Sequence, residues 1–206
     1  MAVKIPDREY RAIVQPFQIP ETTTDKRIDS DFYVEGVATI FDTPYELFEI
    51  DGVKYYEVIE KNALDEADMS DVILRYDHEG KVMARKSNGT LIIEPKDKLY
   101  IYADLSKSRA AKDLYEEIQN GLVTKMSWAF KVRERSFDSK TRTIRIRKVA
   151  KVYDVAPVGV PAFDATSISA RSFVDGVIEQ EQQELLKRKR LLLQLQIIEQ
   201  LGGKIL

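Results

Sequence analysis

Three side chains in this 206-residue chain could carry hydrolytic chemistry: His78, Ser127 and Asp154. His78 is the only histidine, so any mechanism that needs an imidazole base must use it. It stands in RYDHEG (75–80), where an apolar run ends and Gly80 follows. A strand end handing over to a loop is a common place for function. The flanking Asp77 and Glu79 suit a surface histidine among charges equally well. Ser127 lies in KMSWAF (125–130), among apolar and long side chains. Its hydroxyl becomes a nucleophile only with a base in hydrogen-bond reach and a group that orients the base. A strand serine is more often a small, satisfied polar residue, and no G-x-S-x-G elbow surrounds this one. Asp154, in KVYDVAPV (151–158), is an uncommon residue for a strand. Burial would demand a partner for it; the alternative is an edge aspartate facing water.

Composition narrows the remaining chemistry. The absence of cysteine excludes disulfides, thiolate metal sites and a cysteine nucleophile. One histidine with carboxylates is a poor donor set for zinc, and the nine scattered glycines form no phosphate loop. No metal or cofactor is therefore expected. Acidic and basic residues nearly balance, 34 against 32, which argues against a chain built to hold nucleic acid. The arginine-rich TRTIRIRK (141–148) then reads as a solvated strand face. The N-terminus lacks the apolar region of a secretory signal, and no 18-residue apolar run is present. A cytosolic protein without a membrane span is the expectation.

Hydrophobic periodicity supplies the elements that must position the three residues. Tyr10–Val14 is a short apolar stretch, followed by a polar loop through residue 31. Alternation predicts strands over 33–41, 54–60, 71–78 and 98–106. In the last of these, Leu99, Ile101, Ala103 and Leu105 share one face. Pro44 and the Asp51-Gly52 turn interrupt the chain between the first two. Asn62 is placed to cap a short helix with Asp65 and Glu66 in its first turn. Asn88-Gly89, between VMARKS and TLIIEP, predicts a hairpin. Ala111, Leu114, Tyr115 and Ile118 follow helical spacing, with Gly121 as the stop. Residues 122–134 and 141–158 read as two long strands joined through RSFDSK (135–140), which would bring Ser127 and Asp154 onto neighbouring strands. Residues 157–167 form a proline-containing exit loop. From Asp175 the composition shifts to good helix formers, including EQEQQELLKRKRLLLQLQIIEQL (179–201). The pattern is α+β, with a mainly antiparallel β-barrel core, a few flanking helices and a C-terminal helical tail.

In this order the segments resemble the caudovirus prohead serine protease family, the capsid-maturation proteases of tailed phages and distant relatives of the herpesvirus assembly protease. The resemblance spans roughly residues 10–172. Its motifs are Gly36, Ala38 and Phe41 of a G-x-A-x-x-F strand, then Tyr76-Asp77-His78, then Asn88, Gly89, Thr90 and Leu91. Met126, Ser127 and Phe130 follow in M-S-x-x-F, and Asp154, Val155, Ala156, Val158, Pro161 and Ala162 stand in the E-V-S-x-V-x-x-P-A element. KNALDEAD (61–68) replaces the family's P-G-A-F, and DVA (154–156) changes Glu to Asp and Ser to Ala.

The resemblance implies a serine endopeptidase in which Ser127 attacks, His78 is the general base and Asp154 orients the imidazolium. The herpesvirus enzymes use a second histidine in that third place, which this chain cannot supply. Backbone N–H groups and an arginine both remain open as oxyanion donors. The implied substrates are the major capsid protein, the scaffold and the chain itself, cleaved inside the assembling prohead in the host cytoplasm. A homo-oligomer is compatible with this, while a membrane or a specific nucleic acid is not an expected partner. Residues 1–174 would form the protease domain and 175–206 the tail. The alternative from another class is a non-catalytic β-barrel scaffold or adaptor of capsid assembly.

Overall fold

The computed structural model describes residues 7–13, 26–159 and 164–202, with side chains undescribed at 13, 164–169, 171–172 and 197–202. Val14, part of the polar loop, and Pro161 and Ala162 of the final motif lie outside the described residues. Ten strands and two α-helices follow in chain order. The strands are β1 (Glu9–Ile13), β2 (Tyr33–Ile40), β3 (Tyr45–Ile50), β4 (Val53–Ile59), β5 (Ile73–Tyr76), β6 (Glu79–Arg85), β7 (Leu91–Pro95), β8 (Lys98–Asp104), β9 (Lys125–Asp138) and β10 (Thr143–Val158). Helix α1 (Arg109–Gln119) lies between β8 and β9, and α2 (Asp164–Gly202) follows β10.

The strands form a seven-stranded and a three-stranded sheet. In the first, the order runs β1-β9-β10-β4-β3, and β10 also pairs β5, which pairs β6. The second is β2-β8-β7. No ladder closes them into a barrel among the described residues, so the fold is α+β with two sheets. Strand β10 shares one of its edges between two partners. It pairs β9 antiparallel along its length, and its other edge serves β4 over Thr143–Ile146 and β5 at Asp154–Val155, both parallel. Register shifts between Ile146 and Asp154 accompany this change of partner, and such bulges bend a strand and increase its twist. The remaining ladders are antiparallel, as expected.

Several local expectations resolve differently. Asn88-Gly89 does not join a hairpin. Gly89 ends a one-turn 3-10 helix, Lys86–Asn88, and the strands on either side pair elsewhere. The tight hairpin is at Asp51-Gly52, where φ values of 49° and 77° suit a primed turn and connect β3, which lacks a clear alternation, to β4. Asn62 sits inside a 3-10 helix, Lys61–Leu64, whose N-cap Glu60 makes no side-chain cap bond, and Asp65 and Glu66 follow that helix. The β9–β10 hairpin forms, with its turn at 139–142, which takes in only the last two residues of RSFDSK because β9 continues to Asp138. Helix α1 starts at an N-cap Ser108 that accepts from the Ala111 N–H, and ends as the periodicity predicts. There the Gly121 and Leu122 N–H groups donate to Ile118 and Glu117 carbonyls in a Schellman arrangement. The C-terminal helix begins at Asp164, ahead of the composition change at residue 175.

The core gathers the apolar face of β8 (Leu99, Ile101, Ala103), Leu105, and Trp128 and Phe130 of β9, whose rings stack at 4.0 Å. Beside it lies a buried charge cluster. Arg11 of β1 makes a two-point contact with Glu57 of β4 and donates to Glu9 at 2.8 Å; Glu9 also accepts from Arg135 at 3.1 Å. Tyr45 donates to Glu57. Burial opposes the Arg11 charge, but Glu57 and Glu9 hold the guanidinium protonated well above its ordinary range. Helix α2 is anchored next to this cluster: the Arg135 guanidinium lies 4.2 Å over the Phe173 ring, and Ala170 and Val174 are buried. Arg11→Met would leave the buried Glu57 carboxylate without its cation and Glu9 with Arg135, and a loss of about 3–5 kcal/mol is expected by urea titration.

Asp104, at the end of β8, accepts from Ser30 Oγ at 2.5 Å and the Ser106 N–H at 2.9 Å, with Lys107 Nζ at 3.1 Å. Burial alone would raise its carboxyl; the hydrogen bonds from Ser30 and Ser106 and the Lys107 contact outweigh it and hold the group down at about 2. A carboxyl held below its ordinary value contributes stability that is present above pH ~4 and lost as the pH falls through about 2. Asp104→Asn is therefore expected to remove on the order of 2 kcal/mol at neutral pH and less at pH 2, read from denaturant midpoints at both values.

Candidate active site

Strand register assembles the first two groups. On β9, Ser127 stands opposite Ala12 of β1 and Ala156 of β10; one pair further along, Ala129 stands opposite Tyr10 and Asp154. Directly opposed residues share a sheet face, so Tyr10, Ala12, Ser127, Asp154 and Ala156 lie on one face. Both cross-strand partners of Ser127 are alanines, and Trp128 and Phe130 turn the other way into the core. Both polar residues are 1% exposed, so each requires a partner.

That partner arrives on the β5–β6 hairpin. The prediction of a strand running out at His78 is modified: β5 ends at Tyr76, and Asp77-His78 form a two-residue turn closed by the Tyr76–Glu79 pair. Both turn residues have positive φ, 47° and 61°, as a primed hairpin turn requires. Asp and His enter this region more readily than most residues. The turn is tied to the end of β10: the Asp77 N–H donates to the Pro157 carbonyl at 3.1 Å, and the Gly159 N–H donates to Asp77 Oδ1 at 3.2 Å. Arg75 Nη1 donates to the His78 carbonyl at 3.4 Å. β5 itself is registered on β10 at Asp154.

The imidazole is thereby folded over the β9–β10 face. The Ser127 hydroxyl donates to His78 Nε2 at 2.7 Å, and His78 Nδ1–H donates to Asp154 Oδ1. A carboxylate only accepts, so the proton of the neutral ring belongs on Nδ1, leaving Nε2 free to accept from the hydroxyl. The His78 side chain is 8% exposed. Asp154 is one methylene shorter than the Glu of the E-V-S element, yet it reaches the ring because the turn is drawn down onto β10. A hydroxyl, imidazole and carboxylate in this order can deprotonate the hydroxyl and stabilise the resulting imidazolium.

Two neighbours have no signal in the sequence. The Tyr10 ring meets the His78 ring edge-on at 4.7 Å, and Arg8 Nη1 lies 3.9 Å from Asp154 Oδ2. Tyr10 reads from sequence only as part of a short apolar stretch, and its contact with His78 depends on β1 pairing β9 across more than 110 residues.

Among known families, the chain matches caudovirus prohead serine protease over residues 19–182. No curated protein and no solved structure matches it. Because His78 is the only histidine, its ring nitrogens give a single-site NMR readout. At a pH where the ring is neutral, a predominant Nδ1–H form is expected, and Asp154→Ala should convert it to a mixture of tautomers.

The chain belongs to the caudovirus prohead serine protease family.

Proposed function

We propose that this prohead serine protease acts as an endopeptidase through Ser127, His78 and Asp154. The single observation that supports this is the continuous Ser127–His78–Asp154 hydrogen-bonded path, with 2.7 Å between hydroxyl and imidazole. Ser127 Oγ attacks the scissile carbonyl carbon while His78 Nε2 takes its proton, and Asp154 stabilises the imidazolium. The tetrahedral intermediate collapses as His78 returns the proton to the departing amine. The remaining acyl-enzyme is hydrolysed by water, with His78 again the base.

Family membership supports capsid and scaffold segments as the substrates, met inside the assembling prohead. The chain itself is a further substrate in this reading, with residues 175–206 as an appendage that docks on scaffold or is removed. Exposure of Leu185, Leu186, Leu191, Leu192, Leu193 and Leu195 along α2 fits an appendage of that kind. Ser127 is 1% exposed, so substrate entry requires movement of what covers it.

Purified protein is expected to lose a C-terminal fragment with time and to be modified at Ser127 by a fluorophosphonate. Ser127→Ala or His78→Ala should lower cleavage by roughly 10⁴-fold or more, followed by intact-mass spectrometry over a time course. An unchanged cleavage pattern in Ser127→Ala would sink the assignment of the nucleophile, and absence of fluorophosphonate reaction at Ser127 would return the chain to the non-catalytic scaffold reading.

A further inference from the structure

We infer that Arg8 and Tyr10, from the strand region ahead of the family-matched segment 19–182, are positioning residues for the His78–Asp154 pair. This rests on the catalytic reading above. Asp154 is buried, and only one of its oxygens is used by His78. Oδ2 has Arg8 as its cationic neighbour at 3.9 Å. A buried carboxylate is costly, and a positive group beside it lowers that cost. Arg8 is held in place from below, its guanidinium 4.3 Å over the ring of Tyr153, the residue before Asp154.

Tyr10 acts on the other member of the pair. β1 places it in the same cross-strand row as Ala129 and Asp154, and its ring meets the imidazole at 67°. Edge-on packing of this kind is worth about 0.5–1.5 kcal/mol beyond area burial. It also limits rotation of the imidazole away from the line between Ser127 and Asp154. Ala129, on the central strand, is too small to do this, whereas Tyr10 on β1 reaches the ring.

The two residues make different predictions. Arg8 is 39% exposed on its side chain, so its effect is electrostatic and screened by salt. Its charge lies beside the Asp154 oxygen that His78 leaves unused, so its removal is expected to move the pH profile of the reaction upward. Other charged or titratable groups around the site are Asp7 before β1, Lys131 on β9, Tyr153 on β10, and Arg75, Tyr76, Asp77 and Glu79 on the hairpin. Among the described residues none of these is paired with Asp154; Asp7 is engaged by Lys131.

The test is the rate of Ser127 modification by a fluorophosphonate as a function of pH, with the His78 ring resonances followed in the same full-length variants. Arg8→Gln is expected to raise the pH midpoint by about half a unit at low salt and by less at high salt, with Arg8→Lys restoring the parent midpoint. Tyr10→Ala is expected to slow modification about tenfold and shift the His78 ring resonances, with Tyr10→Phe within about twofold of the parent. The inference is overturned if Ser127→Ala abolishes modification while the Arg8→Gln midpoint and the Tyr10→Ala rate stay at parent values. It is also overturned if Tyr10→Ala lowers thermal stability and rate together with unchanged His78 resonances, since the ring would then be packing only. Modification that persists in Ser127→Ala overturns the catalytic reading instead, and the inference with it.

Discussion

The pairing of β9 with β10 is the constraint on which the site depends. Side chains alternate across a sheet, so a slip of one residue would turn Ser127 into the core and bring Trp128 to the outer face. The register is held by the apolar residues of the opposite face. Trp128 and Phe130 stack only while they share one side of β9, and burying them specifies which side Ser127 and Ala129 must take. Packing in the core thus decides where a hydroxyl and a carboxylate emerge, although neither contributes to that packing.

The histidine is delivered by a second constraint of a different kind. A two-residue turn with positive φ at both positions is among the tightest ways to reverse a strand, and here it carries His78, the proposed base. The Asp77 N–H bond to the Pro157 carbonyl and the Gly159 N–H bond to the Asp77 carboxylate tie this turn to the end of the strand that bears Asp154. The turn and the strand therefore hold imidazole and carboxylate close together. Preorganisation of this sort limits the reorganisation needed when charge develops on the ring.

Around this centre, β10 changes partner from β4 to β5, and its register shifts with β9 lie in the stretch where the change occurs. The buried Glu9–Arg11–Glu57 cluster sits on the opposite side of β1 from Tyr10, because successive side chains point to opposite faces. One short strand thus contributes a structural charge cluster on one face and a contact to the histidine on the other. Helix α2 is anchored at Ala170, Phe173 and Val174, and its later leucines stay exposed.

Much of this was legible in the residues themselves. The strand alternation of β2, β4 and β8, the spacing and glycine stop of α1, the long β9–β10 hairpin and the helical tail all have local causes, namely periodicity, capping and propensity. Having one histidine singled out His78 as the only available imidazole, and the ordered motifs pointed to Ser127 and Asp154. Local signals misled where their partners were distant. Asn88-Gly89 resembles a hairpin turn, but β7 gains more by pairing β8, and β3 was hidden because its half-buried residues do not alternate cleanly. What only the tertiary structure decided was which side chains meet: the hydrogen-bonded path from Ser127 through His78 to Asp154, and the approach of Arg8 and Tyr10. Those contacts join strands far apart in the chain, and their geometry follows from register, bulges and a positive-φ turn, which no single stretch of sequence encodes.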